Sequence, residues 1–586
     1  MDEQSEETAG LEKDRQEIKQ AQQEGTVSTF FTYLKLAGPG WLQSAITIGG
    51  ASLGGALFLG VIGGAELLWI QPLAVILGVC MLSAIAYVAL SADKRPFDAM
   101  IEHVNPVLAW GWLVATILAN VVWAAPQFGL ATAALRKNLF PGTLGAEHMD
   151  KVPATLICVI PIAVVAIGLV WLYDTGLTGV KIFEGVIRAI VALVVVSFIG
   201  VVIKLSFAED GIQWGKVLMG YIPDISLLWS PPDELLAEVR KVPEQYQAFW
   251  EEYIVSKQQD EIITAAAAAV GINMTFLMPY SMLKKGWDED FRGLAVFDLF
   301  TGMLIPFLLV TSCIVIASMN RFHTQPVEGL LGDSKTKDVP VRLKKSFHSL
   351  ALQRIEVQVE KEGSFKGVSE SEFQKLKANG SSEELDSLVS KLSKDDQRMA
   401  AMLVNRDTFA LANSLEPLLG EFISQYVFGI GVVGVAISTI LIMMMINGFA
   451  ISEALGFPNH GWVYKLSAAI PGLSFLAPLF WEGSMAYLVV PTSIFGAILL
   501  PIAYLSFWIM MNQKSLLGDD LPTGQTRLWI NVVLGITTVL SGIASLYSLW
   551  KSQGWTGYYV LFGFIALAVI AHFMDPDYFK PAKQNS

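Results

Sequence analysis

The chain has 586 residues, 53% of them hydrophobic and only 16% charged, with a mean hydropathy of +0.50. That balance belongs to a polytopic membrane protein rather than a soluble domain. The net charge of −13 argues against a basic nucleic-acid-binding face. The three cysteines, Cys80, Cys158 and Cys313, lie inside apolar runs and fit neither a disulfide framework nor a zinc cluster.

Residues 1–28 read as a solvated acidic tail, and a short amphipathic lead-in from Phe30 to Lys35 completes the segment 1–37. No basic stretch before an apolar core marks a signal peptide. A span needs about 20 apolar residues. On that rule twelve are expected, at 38–60, 67–92, 106–134, 154–173, 180–206, 261–283, 293–318, 421–447, 462–481, 485–511, 527–549 and 555–574. Trp41, Trp69, Trp171, Trp462, Trp481 and Trp550 stand near span ends, as interface anchors do. With a cytoplasmic N-terminus, Lys94, Arg95, Lys181, Lys284, Lys285, Arg292, Lys465, Lys514 and Arg527 all fall on one side of the membrane, and the short opposite loops are poorer in Lys and Arg, with Arg136, Lys137 and Lys551 as exceptions. The positive-inside rule then puts both termini in the cytoplasm, of a cell with this protein in its plasma or bacterial inner membrane. The loops 207–260 and 320–416 are too long for connectors. Both are expected outside, as a solvated cap open to contact with another protein. The later part of the second loop, SEELDSLVSKLSKDDQRMAAMLV, has helical spacing of apolar residues.

The stretch from Gly38 to Glu66, GPGWLQSAITIGGASLGGALFLGVIGGAE, holds nine glycines. Each glycine inside a helix costs about 1 kcal/mol relative to alanine. A span that opens there frees backbone groups, which lipid tolerates only where they are buried in protein or line a cavity. Ile48 to Gly55 is therefore expected to be the unwound middle of a broken helix. Close helix packing through small residues is the alternative use of Gly49 and Gly50. The sixth span, IITAAAAAVGINMTFLMPYSMLKKGW, carries a second interruption. Gly271, Asn273 and Thr275 form a polar cluster, and Pro279 removes a backbone donor one turn later. Two interrupted spans five apart point to an inverted-repeat transporter with its site at the midplane.

These residues carry a family resemblance. GPGWLQSAITI-GGAS resembles the first-helix pattern GPGFLxSIAYI-DPGN of the Nramp divalent-metal transporters. Met278-Pro279-Tyr280 resembles the family's MPH in its sixth helix. GYIPDIS and the LEPLLG at 415–420 resemble the lead-ins to its sixth and eighth helices. The resemblance implies an all-α, LeuT-type fold with two inverted five-helix repeats, at 38–206 and 261–511, and terminal helices in 512–586. The insertion 320–416 interrupts the second repeat. The departures are specific. The family's metal-binding aspartate falls on Gly49, its asparagine on Ser52 and the histidine of MPH on Tyr280. Where relatives carry acidic residues in the third helix, this chain has Trp123-Ala124-Ala125-Pro126-Gln127. Met278 alone would remain of the carboxylate, imidazole and thioether ligands that transition metals favour. A gap-free alignment from Gly271 instead puts Thr275 at the methionine position.

The expected substrate-binding residues are Gly49, Ser52, Asn273, Thr275, Met278 and Ser493, the last matching a family glutamine that approaches the metal. Gln127, Glu184, Arg188 and Tyr280 are expected in the pathway or gate. Ser52 can instead bond back to its own helix, Asn273 and Thr275 can join helices, and Glu184 and Arg188 can pair at i, i+4. Asp298 and Glu453, near interfaces, suit helix-end roles. No Walker loop, nucleophile elbow or metalloprotease pattern points to an enzyme. The expected function is secondary transport by alternating access across a lipid bilayer. A divalent metal ion is the substrate by resemblance, with no permanently bound cofactor. Without the aspartate, Mg²⁺ suits the site better than Mn²⁺ or Fe²⁺, because it keeps its waters and accepts neutral oxygens. A transporter of a small organic solute such as an amino acid is a second reading, and a non-transporting sensor or receptor a third.

Overall fold

Apolar runs of this length satisfy their backbone in lipid as helices. The computed structural model describes residues 2–581 apart from 93, 209–210, 328, 332–338, 340, 405, 407 and 481–485. The described residues are helical almost throughout, with one short hairpin pairing Ser364–Phe365 and Val368–Ser369. Among the described residues eight helices are each long and apolar enough to cross a membrane, and two more helix pairs, bent by 52° and 69°, raise the number to ten. Twelve spans were expected. The difference lies in two places. The 49-residue helix Gly524–His572 counts once, yet Gly554 breaks it at φ 56°. Its first part meets Asn512 through Arg527 and Asp260 through Lys551, and its second part returns to Asn105 through Ala568. The sixth span escapes the count because its outer half is charged and its middle is broken.

The centre of the bundle is the eighth span, Phe428–Ala454, whose Ile440–Phe449 stretch is almost wholly buried. It packs against the third span, Pro106–Ala134, and the ninth, Gly461–Gly472. The outer half of span one lies on span seven. Gly60 permits this approach, since a Cβ there would collide with Ser318 Oγ and the Val315 carbonyl.

Two expectations about the polar regions need correction. Residues 2–24 are a helix docked on the loop between spans six and seven, not a solvated tail. Ile18 and Ala21 are buried, Arg15 Nη2 sits 2.5 Å from Asp288 Oδ2, and Lys19 Nζ is 2.9 Å from Asp290. Lys35 hydrogen-bonds Glu17 at 2.7 Å and holds that carboxyl below its usual range. The long loops are likewise a packed unit rather than a cap of solvated chain. Ser369, Ser381 and Ser393 cap successive helices, and Phe347, Ile355, Phe365 and Phe373 form a core. Buried Arg354 meets Asp396 at 2.9 Å, and Trp250 Nε1 donates to the same carboxylate at 2.9 Å. Trp250 belongs to Glu244–Ala269, a 26-residue helix that runs from this unit into the membrane as the outer half of span six.

Candidate functional site

Span one begins as helix 1a, Pro39–Thr47, with proline in its first turn. The buried carboxylate of Asp298 sits at that helix start, and its Oδ2 accepts from Gly38 N at 2.8 Å and Gly40 N at 2.7 Å. A negative charge at a helix N-terminus is favoured by the dipole and by the unpaired amides. Asp298 was expected near an interface at the start of its own span; it is instead buried within that span and caps the start of helix 1a. Helix 1a stops at Ile48, Gly49 is extended, and helix 1b runs from Gly50 to Gly63.

The break is two residues wide, not the whole of Ile48 to Gly55. Side chains take up the freed backbone groups at once. Gln127 Oε1 accepts from Gly50 N at 3.1 Å, and the Ser52 hydroxyl donates to the Thr47 carbonyl. Helical geometry can then resume immediately. Span six breaks in the same manner. Its outer half, helix 6a (Glu244–Ala269), ends before extended Val270 and Gly271, and helix 6b runs Ile272–Lys284. Pro279 lies inside 6b and does not mark the break. Gly271 is required by a close approach, since a Cβ there would lie 2.7 Å from the Trp123 ring.

The two breaks meet. Thr47 Oγ1 donates to the Ala269 carbonyl at 3.4 Å and lies 3.5 Å from Met274 Sδ. Gln43 Nε2 donates to the Met274 carbonyl at 3.2 Å, and Gly271 N approaches Met274 Sδ at 3.3 Å. The thioether beside the breaks is therefore Met274. Met278 is fully buried one turn farther along 6b. Counting three residues from Gly271 to the first turn of 6b would have found Met274; the Met-Pro pair drew attention away from it.

Asn273 is also at the break. Its Nδ2 donates to Asn120 Oδ1 at 2.9 Å, in a chain that continues to Asn447 at 3.5 Å and the Ser467 carbonyl at 3.4 Å. Its Oδ1 is buried without a donor and would lie 2.8 Å from a Cβ at Gly271. Thr275 is engaged elsewhere: its hydroxyl accepts from Trp112 Nε1 at 2.8 Å and donates to the Ile272 carbonyl at 2.5 Å. Tyr280 stacks on Phe276, with ring centroids 4.3 Å apart. Ser493 is on helix Ala486–Met510, and its side chain lies outside the described residues.

Glu184 and Arg188 do not form the expected i, i+4 pair. Glu184 meets Lys285 at 3.1 Å, and Arg188 Nη2 donates to the Ala37 carbonyl at 2.5 Å. With Asp298 they gather at the start of helix 1a. Glu453 pairs with Arg95 at 3.1 Å.

Around the breaks the polar groups are neutral: Gln43, Thr47, Gln127, Asn273 and the Met274 thioether. Among the described residues no group of three or more His, Cys, Asp and Glu could hold a metal ion. The amide and hydroxyl oxygens of this set are hard donors, and the Met274 thioether is a soft one.

Residues 399–551, from the end of the inserted unit through the eleventh span, match the family described as natural resistance-associated macrophage protein-like, Nramp. The whole structure resembles a manganese transporter from Eremococcus coleocola, determined with an aromatic bis-isothiourea compound. The TM-score is 0.59 at 13% identity, covering 94% of this chain and 96% of that one. A point mutant of the same transporter gives 0.54 at 15% identity with the same coverage. The chain is thus similar to Nramp proteins over residues 399–551 and to a manganese transporter in its fold. No curated protein matches it significantly. The chain has the all-helical LeuT-type fold of that transporter. The sequence match covers about a quarter of the chain, and the first-helix pattern lies outside the matched stretch.

Proposed function

We propose that this Nramp-like chain is a secondary transporter of divalent metal ions working by alternating access, with partly hydrated Mg²⁺ a better fit than Mn²⁺ or Fe²⁺. The observation that carries the reading is the meeting of two broken helices at Thr47 and Met274 amid neutral donors. The manganese transporter among its structural neighbours supports a divalent metal as substrate. Spans one and six move against spans three, four, eight and nine. The two five-helix repeats at 38–206 and 261–511 supply these elements. Proton coupling is weak, because Gln127 stands where relatives carry acids. An amino-acid substrate would need a free amide at the start of 1b, and Gly50 N is already engaged by Gln127.

The test is a proteoliposome flux panel of Mg²⁺, Mn²⁺ and amino acids, with and without a pH gradient. Metal uptake without steep acid dependence is expected; amino-acid uptake alone, or no flux, overturns the reading. Within the panel, Met274→Ala should weaken Mn²⁺ uptake more than Mg²⁺ uptake, since a thioether is a soft ligand. Met278→Ala should lower thermal stability by about 2–5 kcal/mol and leave ion preference unchanged.

Both termini are assigned to the cytoplasm from the Lys and Arg bias. A cysteine replacing Ser381 in the inserted unit should react with an impermeant reagent on intact cells, and one replacing Ser5 should not. Labelling at Ser5 without permeabilisation would reverse the orientation.

A further inference from the structure

The breaks hold no carboxylate, yet one is buried close by in helix 6a. Glu261 is 3% exposed, and its Oε2 has no hydrogen-bond donor. Thr264, one turn farther on, is fully buried and its hydroxyl has no partner. Residues i and i+3 share a helix face. Both side chains face Gly55 of helix 1b, where a Cβ would lie 3.4 Å from Thr264 Cγ2 and 3.7 Å from Glu261 Oε2. The neighbouring acid is already engaged: Asp260 meets Lys551 at 2.5 Å and Lys257 at 3.8 Å.

Among the described residues Glu261 makes no ion pair. The membrane helices with the largest contact on 6a are 1b (Gly50–Gly63), Ile70–Ser91 and Ala486–Met510, and none of these three contains a Lys, Arg or His. Helix Gly524–His572 also touches 6a, through Tyr547 and Lys551, but Lys551 is bound to Asp260, as is Lys257 of 6a itself. A buried carboxylate without a counter-charge or hydrogen bonds is strongly disfavoured. This one sits between the two helices whose breaks form the candidate site. Eight residues, about 12 Å of helix, separate it from the end of 6a at Ala269.

We propose that Glu261 and Thr264, facing Gly55, form a second divalent-cation site, a waystation between the inserted unit and the breaks. The Glu261 carboxylate supplies the charge and the Thr264 hydroxyl a neutral oxygen, while water completes the shell of a hard cation. The ion is the direct counter-charge that Lys257 and Lys551, both turned to Asp260, do not provide. This inference rests on the metal-transport reading for its role, although binding is measurable without transport.

The experiment is Mn²⁺ titration of the purified full-length protein followed by electron paramagnetic resonance, paired with liposome flux. Glu261→Gln is expected to weaken the tightest Mn²⁺ binding at least tenfold, Thr264→Val about threefold, while Glu261→Asp stays within about threefold of the native protein. Unchanged melting temperatures separate lost ligation from lost structure. Should Glu261→Gln fail to fold, the Thr264→Val and Glu261→Asp titrations decide. Native-like Mn²⁺ affinity in Glu261→Gln, or in Thr264→Val when Glu261→Gln is unfolded, overturns the site, as does a native protein that binds no Mn²⁺. Binding lost in Glu261→Gln without metal flux in the native protein overturns the transport reading and keeps the site. Metal flux with an unchanged KM in Glu261→Gln overturns the site and keeps the transport reading.

Discussion

Gly49→Asp should tighten Mn²⁺ binding at least tenfold, a gain of about 1.4 kcal/mol. Gly49 lies in the two-residue break of span one, in extended geometry open to any residue. A carboxylate about 4 Å from a unit charge gains about 4 kcal/mol at an effective dielectric near 20, and more from a dication. Desolvating the new carboxylate takes back part of that. Space takes a further part, because a Cβ at Gly49 would lie 2.9 Å from the Ile46 carbonyl oxygen and 3.2 Å from Thr439 Oγ1. Thr439 donates to the Ala45 and Val435 carbonyls, so span eight backs the break directly. Gly49→Leu places a larger side chain in the same space without a ligand atom, and should abolish flux. Isothermal titration with Mn²⁺ checks the first variant, and liposome flux the second. Undiminished flux in Gly49→Leu would show that the glycine only permits packing and that the ion passes elsewhere.

Asp298→Ala should destabilise the protein by about 3 kcal/mol, since hydrogen bonds to a charged group contribute about 1.5–3 kcal/mol each and are not additive. It removes the acceptor of Gly38 N and Gly40 N and leaves both amides buried and unpaired at the start of helix 1a. The change also bears on motion. Helix 1a is held at this end by Asp298 from span seven and by Arg188 on the Ala37 carbonyl. Releasing one hold should let the helix swing. A cysteine at Ser44, fully buried in helix 1a, should be protected from maleimide in the native background and labelled in Asp298→Ala. Asp298→Asn keeps an acceptor oxygen without the charge, so its effect should be smaller in both measurements. A melting temperature and labelling rate both unchanged in Asp298→Ala would show that Asp298 does not hold the helix.

Much of the membrane architecture was legible in the chain because apolar runs and glycine act locally. A run of some 20 apolar residues has few other ways to satisfy its backbone, and Gly49 and Gly271 mark breaks wherever the rest of the chain lies. The pairing of interrupted spans one and six followed from the same local signals. The width of the break did not, because it depends on Gln127 from span three reaching Gly50 N and on Ser52 returning to Thr47. Polar side chains were misread for a common reason. A charged face looks the same in sequence whether water or a distant segment covers it. Arg15 and Lys19 therefore read as solvent-facing until Asp288 and Asp290, more than 250 positions away, met them. Glu184 and Arg188 had the right spacing for each other, but Lys285 and the Ala37 carbonyl lay closer once the spans packed. Glu261 gave no local signal of its own, and Met274 gave only its spacing of three from Gly271. Their significance comes from which helix faces them, and only the tertiary packing of 6a and 6b against span one decides that.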